Sequence, residues 1–142
     1  MKSFKQAHRR TAFTLVEIML VVATIALLAT LAIPNYLRAR KRAQAAHLFD
    51  DLRAVDHAIE LYCIEFRRSG EETMTTTDLV FLKRYLKDRI ALYESLPNDM
   101  FNNPFVITNL KSAPKLNMLT YNALSDVVPL DYWNPYTPVE TP

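Results

Sequence analysis

Residues 12–34 read AFTLVEIMLVVATIALLATLAIP, and the reading of this stretch decides where the rest of the chain is placed. From Phe13 to Ile33 there are 21 residues, of which only Glu17 carries a charge. At about 1.5 Å of rise per residue a helix of that length is about 31 Å long, the thickness of a bilayer's hydrocarbon core. The segment is therefore expected to span a membrane. A carboxylate inside such a helix costs on the order of 2–3 kcal/mol at mid-membrane and less near an end, so a bare anchor has no reason to include one. A partner for Glu17 is implied. The leader MKSFKQAHRRTA has four basic residues and no acid, and it ends at the small residue Ala12. A cut there leaves Phe13 as a charged amino terminus, of unperturbed pKa about 8, four positions before Glu17. When identical helices pack with an axial offset, the carboxylate of one neutralises the amine of the next, which favours assembly over the lone monomer.

Ala12-Phe13-Thr14-Leu15-Val16-Glu17, followed by an unbroken apolar run and Pro34, resembles the class III signal of type IV pilins and type II secretion pseudopilins. The resemblance implies that a prepilin peptidase cuts between Ala12 and Phe13 on the cytoplasmic side and N-methylates Phe13. It further implies that Glu17 is the acidic residue at the fifth mature position and that Pro34 kinks the helix. The implied partners are copies of the chain, related minor pilins, the inner-membrane assembly platform and the lipid bilayer. The N terminus would be cytoplasmic and the head periplasmic. The chain departs from the family in having Ala12 where Gly is nearly always found. A removable secretory signal has an apolar region of about 7–15 residues, shorter than this run, and explains neither Glu17 nor the order FTLVE.

The chain has 142 residues with a formal charge of +2. Without the leader's four basic residues, 13 Lys and Arg face 15 Asp and Glu, so the mature chain is at −2. The basic balance belongs to the leader, and nucleic-acid binding by this subunit is not expected. The 109 residues after Ile33 suffice for one small domain. A single cysteine, Cys63, excludes an internal disulfide, and a single glycine, Gly70, excludes a Gly-rich phosphate loop. Arg38, Arg40, Lys41 and Arg42 follow the apolar run; they suit anionic headgroups, acids of a neighbouring subunit, or plain solvation. Pro34 reads equally as a hinge or as a tolerated interfacial proline.

Ala45, Leu48, Leu52, Val55, Ile59, Tyr62 and Phe66 recur at steps of three and four, one stripe of an amphipathic helix. One long helix from Phe13 to about Arg67 is expected, ended by Ser69-Gly70. Thr77 is expected to cap a second helix from Asp78 to about Ile90, with Leu79, Leu82, Leu86 and Ile90 on its apolar face. Turn signals at Pro97-Asn98-Asp99 and Asn102-Asn103-Pro104 precede candidate strands at Phe105–Thr108 and Leu116–Leu124. The aromatic tail after Ser125 is expected to plug the open end of the core, the alternative being contact with a neighbouring subunit.

The expected fold is thus α+β: a leader (1–12), a transmembrane half-helix (13–33), an amphipathic half (34–67) and a small head (68–142) with an antiparallel sheet. Major pseudopilins often hold calcium in a C-terminal loop, and Asp126 and Asp131 are the acidic candidates for that role here. Calcium takes six to eight oxygens, so backbone carbonyls would supply most of the shell, and the other reading of both residues is as ordinary turn-capping aspartates. His47 and His57 lie about 15 Å apart along a helix and cannot share a metal within one chain. No nucleophile stands at a recognisable spacing from a base, and Cys63 reads as a packing residue. The expected function is that of a filament subunit rather than an enzyme: foremost a type II secretion pseudopilin, otherwise a surface type IV pilin serving adhesion, motility or DNA uptake. A monomeric membrane-anchored binding module is the remaining reading, and in it Glu17 has no role.

Overall fold

The computed structural model describes residues 13–68 and 72–140, with the backbone but not the side chain of Ile90. The leader with Ala12, and the expected break at Ser69-Gly70, lie outside the described residues. Helix α1 runs from Leu15 to Phe66, close to the expected bounds, and continues through Pro34. The chain divides into two compact units after Leu37.

In the first unit the large apolar side chains from Phe13 to Ile33, thirteen in all, are 52–81% exposed. Leaving a large aliphatic side chain in water costs about 1.5–3 kcal/mol relative to burying it. Thirteen of them amount to about 20 kcal/mol or more, beyond the 5–15 kcal/mol that stabilises a typical domain. Such a surface calls for an apolar medium, and the helix is long and apolar enough to cross a membrane.

The second unit, Arg38–Pro142, holds the core. Along α1 the residues Leu48, Leu52 and Val55 are fully buried, with Ala45, Ile59 and Tyr62 nearly so. The expected stripe is correct to that point and fails at Phe66, which is 43% exposed. α1 stops at Phe66 because the next residue, Arg67, takes a left-handed φ of 50°. The Arg68 amide then donates back to the Cys63 carbonyl (3.1 Å), a six-to-one closure usually built around glycine.

Helix α2 spans Thr76–Tyr85 and is capped by Thr75, not Thr77. Thr75 wins because Asp78 lies three residues on: the Thr75 amide and hydroxyl both donate to Asp78 Oδ2 at 2.7 Å, and the Asp78 amide donates to Thr75 Oγ1 at 3.3 Å. Leu82 and Leu86 are buried and Leu79 half-buried, as the apolar face requires. Helix α2 ends before Ile90, and a separate short helix, α3 (Ile90–Ser95), follows.

Among the described residues the expected antiparallel sheet does not form. Pairing is limited to isolated bridges: antiparallel at Thr73–Asn109, Asn98–Pro104 and Val106–Lys115, and parallel at Asn117–Val139. Seven of the eight prolines fall after Leu96, and each removes a ladder donor. The candidate strand Phe105–Thr108 therefore makes one reciprocal pair, Val106 with Lys115, at 2.9 and 2.8 Å. The candidate strand Leu116–Leu124 is instead helix α4 (Met118–Leu124), begun by the Asn117 side chain accepting from the Leu119 amide at 2.8 Å. Thr120 and Leu124, four apart, face the core while Leu119 is 64% exposed, a helical rather than an alternating pattern. The tail folds through a 3-10 turn at Leu130–Trp133 and returns to the core, with Trp133 fully buried and Tyr136 nearly so. Main-chain bonds tie it down: Leu116 donates to Tyr136 (3.3 Å), Val139 to Leu116 (2.9 Å) and Met118 to Val139 (3.0 Å).

Candidate functional site

The start of α1 carries the residues singled out for processing and assembly. Phe13 is 81% exposed. Thr14 is the residue that sequence reasoning passed over. Its amide and its hydroxyl each donate to Glu17 Oε2 at 2.8 Å, and the Glu17 amide donates to Thr14 Oγ1 at 3.3 Å. Thr14-Leu15-Val16-Glu17 is a capping box, legible in advance as threonine followed three residues later by glutamate. The implied partner of Glu17 is thus met, in the single chain, by the helix's own first turn. A carboxylate there also suits the positive end of the helix dipole. The box holds the acid next to residue 13, where a new amino terminus would lie.

Farther along, Asp126 and Asp131 have separate partners. Asp126 accepts from Lys41 Nζ through both carboxylate oxygens, at 2.8 and 2.9 Å. That hydrogen bond, and then the Lys41 and Arg38 charges, hold the Asp126 carboxyl below its ordinary range. Asp131 lies in the 3-10 turn, its carbonyl accepting from the Asn134 amide at 3.3 Å. Among the described residues no group of three or more His, Cys, Asp or Glu side chains is placed to share a metal. His47 Nδ1 lies 2.9 Å from Asp51 Oδ2, whose other oxygen accepts from Arg89 at 2.9 Å. His57 sits 3.6 Å from Glu60. Cys63 is half-buried with Sγ 3.9 Å from the Leu110 carbonyl, and burial pushes its thiol up, away from the reactive thiolate.

A buried polar knot at the far end of α1 also went unread in the sequence. Asp78, with its side chain 3% exposed, accepts from the Tyr62 hydroxyl at 2.5 Å and from Arg68 at 3.4 Å, besides its two bonds from Thr75. Arg68 also pairs with Glu72. Burial alone would raise the Asp78 carboxyl, but the Tyr62 and Thr75 hydrogen bonds and the Arg68 charge outweigh it and hold the group low. The knot fixes α2 to α1, and its chemistry is that of a structural clamp.

Comparison with known proteins finds secretion-system and fimbrial relatives. The type II secretion system core protein G of Escherichia coli (strain K12) is 26% identical over 112 residues, 74% of this chain and 76% of that one. The type IV major fimbrial protein FimA of Dichelobacter nodosus is 37% identical over 59 residues, 42% of this chain and 38% of its own. The chain is similar to subunits of the pilin and pseudopilin kind. Against the type II secretion system core protein G of Aeromonas hydrophila, 30% identical over 63 residues, the chain spans less than half of the relative's length, 44%. No family model matches the chain, and no solved structure matches it. The bare apolar helix of the first unit suits lipid or a helical bundle, and the compact second unit suits water.

Proposed function

We propose that this chain is a structural subunit of a type IV-like filament, a pseudopilin of the type II secretion kind. In this reading a prepilin peptidase removes residues 1–12 and N-methylates Phe13. Residues 13–33 then hold the protein in the inner membrane as a single span, with the N terminus cytoplasmic and the head periplasmic. On assembly the apolar half of α1 enters the filament core, the assembly platform adds subunits to copies of the chain and to minor pilins, and Pro34 absorbs the change of course. The head is pilin-like, with the bridges at Val106–Lys115 and Asn98–Pro104 as its β part. The observation that carries the reading is the thirteen exposed apolar side chains on a helix opened by the Thr14–Glu17 box. The names of the Escherichia coli and Aeromonas hydrophila relatives favour the secretion filament.

The box refines the role of Glu17. In the waiting monomer the carboxylate is occupied by Thr14, and in the filament it exchanges that bond for the amine of a neighbouring Phe13. The test is Glu17→Val, made in cells that assemble the wild-type chain. The variant is expected to insert and to be cut at Phe13 but to yield few filaments; a normal filament yield would remove Glu17 from assembly and favour a monomeric anchored module. A surface type IV pilus is the second reading, favoured by the 37% identity to the fimbrial protein. Deleting the gene separates the two, since loss of protein secretion with surface fibres intact supports the first and the reverse supports the second.

A further inference from the structure

A dense basic cluster lies at the start of the second unit. Arg38, Arg40 and Arg42 are exposed, and Lys41 is partly so. No acidic residue occurs between Glu17 and Asp50, so within the sequence the cluster is unopposed. At 100° per residue Arg38, Lys41 and Arg42 share one side of α1 and Arg40 takes the other, so the charges ring the helix. Arg38 follows Ile33 by five residues, about 7.5 Å of helix and no more than about 18 Å of chain in any conformation. Headgroups occupy about 5–7 Å beyond each face of the hydrocarbon core. Arginine and lysine side chains snorkel, burying their stems while keeping their charged heads in water, so from this distance along the chain the heads can enter the headgroup layer. Tyr36, 67% exposed, lies between the apolar run and the cluster, the position at which amphipathic rings favour an interface.

The pair between Lys41 and Asp126 completes the arrangement. Asp126 is the one acidic group that the fold brings to the cluster among the described contacts, and Lys41 holds both of its oxygens. Lys41 neutralises its negative charge through two hydrogen bonds, and the Arg38 charge acts on it more weakly. We propose that Arg38, Arg40 and Arg42 form a collar that binds the anionic phospholipid headgroups of the leaflet from which the head emerges, with Lys41 screening Asp126 from that leaflet. The collar rests on the proposed placement of residues 13–33 in the bilayer.

The experiment uses the full chain reconstituted in phosphatidylcholine vesicles with traces of spin-labelled phosphatidylcholine or phosphatidylglycerol, read by electron paramagnetic resonance. Motional restriction of the phosphatidylcholine probe reports insertion. The ratio of phosphatidylglycerol to phosphatidylcholine association reports the collar. At low salt that ratio is expected to be about threefold or more, given that each basic residue near an anionic surface contributes appreciably, and to fall toward 1 in 1 M salt. The Arg38→Gln/Arg40→Gln/Arg42→Gln variant should bring it near 1 with Trp133 fluorescence unchanged as the check on folding. Asp126→Asn, which frees Lys41, should raise it. A wild-type ratio near 1, or a ratio unmoved by the triple substitution, overturns the collar while leaving the membrane span intact. A ratio of 1 together with lost filament assembly in the triple variant reassigns the arginines to acidic groups of a neighbouring subunit. No restricted phosphatidylcholine at all overturns the span and the collar with it.

Discussion

Replacing Asp78 with alanine tests the account of how the head is held to α1. The substitution removes the carboxylate half of the Thr75 capping box, a loss of about 1 kcal/mol. It also leaves the Tyr62 hydroxyl, on a residue only 3% exposed, without the acceptor it meets at 2.5 Å. An orphaned buried donor costs about 1–3 kcal/mol. Together these give about 2–4 kcal/mol, which for a domain of about 100 residues lowers Tm by roughly 10–20 °C. Tyr62→Phe deletes the donor instead and leaves Asp78 its bonds from Thr75 and Arg68, so it should cost only about 1 kcal/mol. Trp133, the single tryptophan and fully buried, is the reporter, through its fluorescence during heating of the detergent-solubilised protein. The folded Asp78 carboxyl is held below its ordinary range, so its contribution is present above the unfolded value near pH 4 and is lost as pH falls through the folded one. The gap between wild type and Asp78→Ala should therefore narrow in acid. A Tm shift of less than about 3 °C, or Tyr62→Phe proving the more damaging, would refute the reasoning.

Two further outcomes follow from the same packing. Leu52→Ala, at a fully buried position on α1, should cost about 2–5 kcal/mol, whereas Ile64→Ala, at a position 74% exposed, should change Tm by no more than about 2 °C; both are read by the same melt. Tyr136, whose hydroxyl donates to Asp56 at 3.1 Å, is pushed up to about 12 by burial and by the Asp56 charge. Its contribution to stability is full below the unfolded value near pH 10 and is lost as pH rises through the folded one, so Tyr136→Phe should flatten the loss of stability in that alkaline window. Absorbance at 295 nm should show one late-titrating tyrosine fewer in the variant.

What was legible in the sequence was what a single helix writes along its own length. The apolar run with its one acid, the stripe from Ala45 to Tyr62 and the end near Arg67 depend on spacing within one element, and the structure has them within two residues. The head was harder because its choices are made between distant residues. Leu119, Tyr121 and Ala123 alternate like a strand, yet the Asn117 cap and the burial of Thr120 and Leu124 turn the segment into a helix. Thr75 and Thr77 are both plausible caps by type, and the spacing to Asp78 decides between them. Arg67 in a left-handed conformation has no local signal, since glycine would ordinarily take that place. The Thr14–Glu17 box is written in the spacing of threonine and glutamate, but a charged residue in an apolar run fits a distant partner as well as a near one, and the spacing alone does not choose.

The most direct test of the central claim is the intact mass and N-terminal sequence of the protein made in cells with and without an active prepilin peptidase. The account predicts a chain that begins at N-methylated Phe13 only when the peptidase is active, and at Met1 when it is not. A chain beginning at Met1, or near Ile33, in both strains would contradict it.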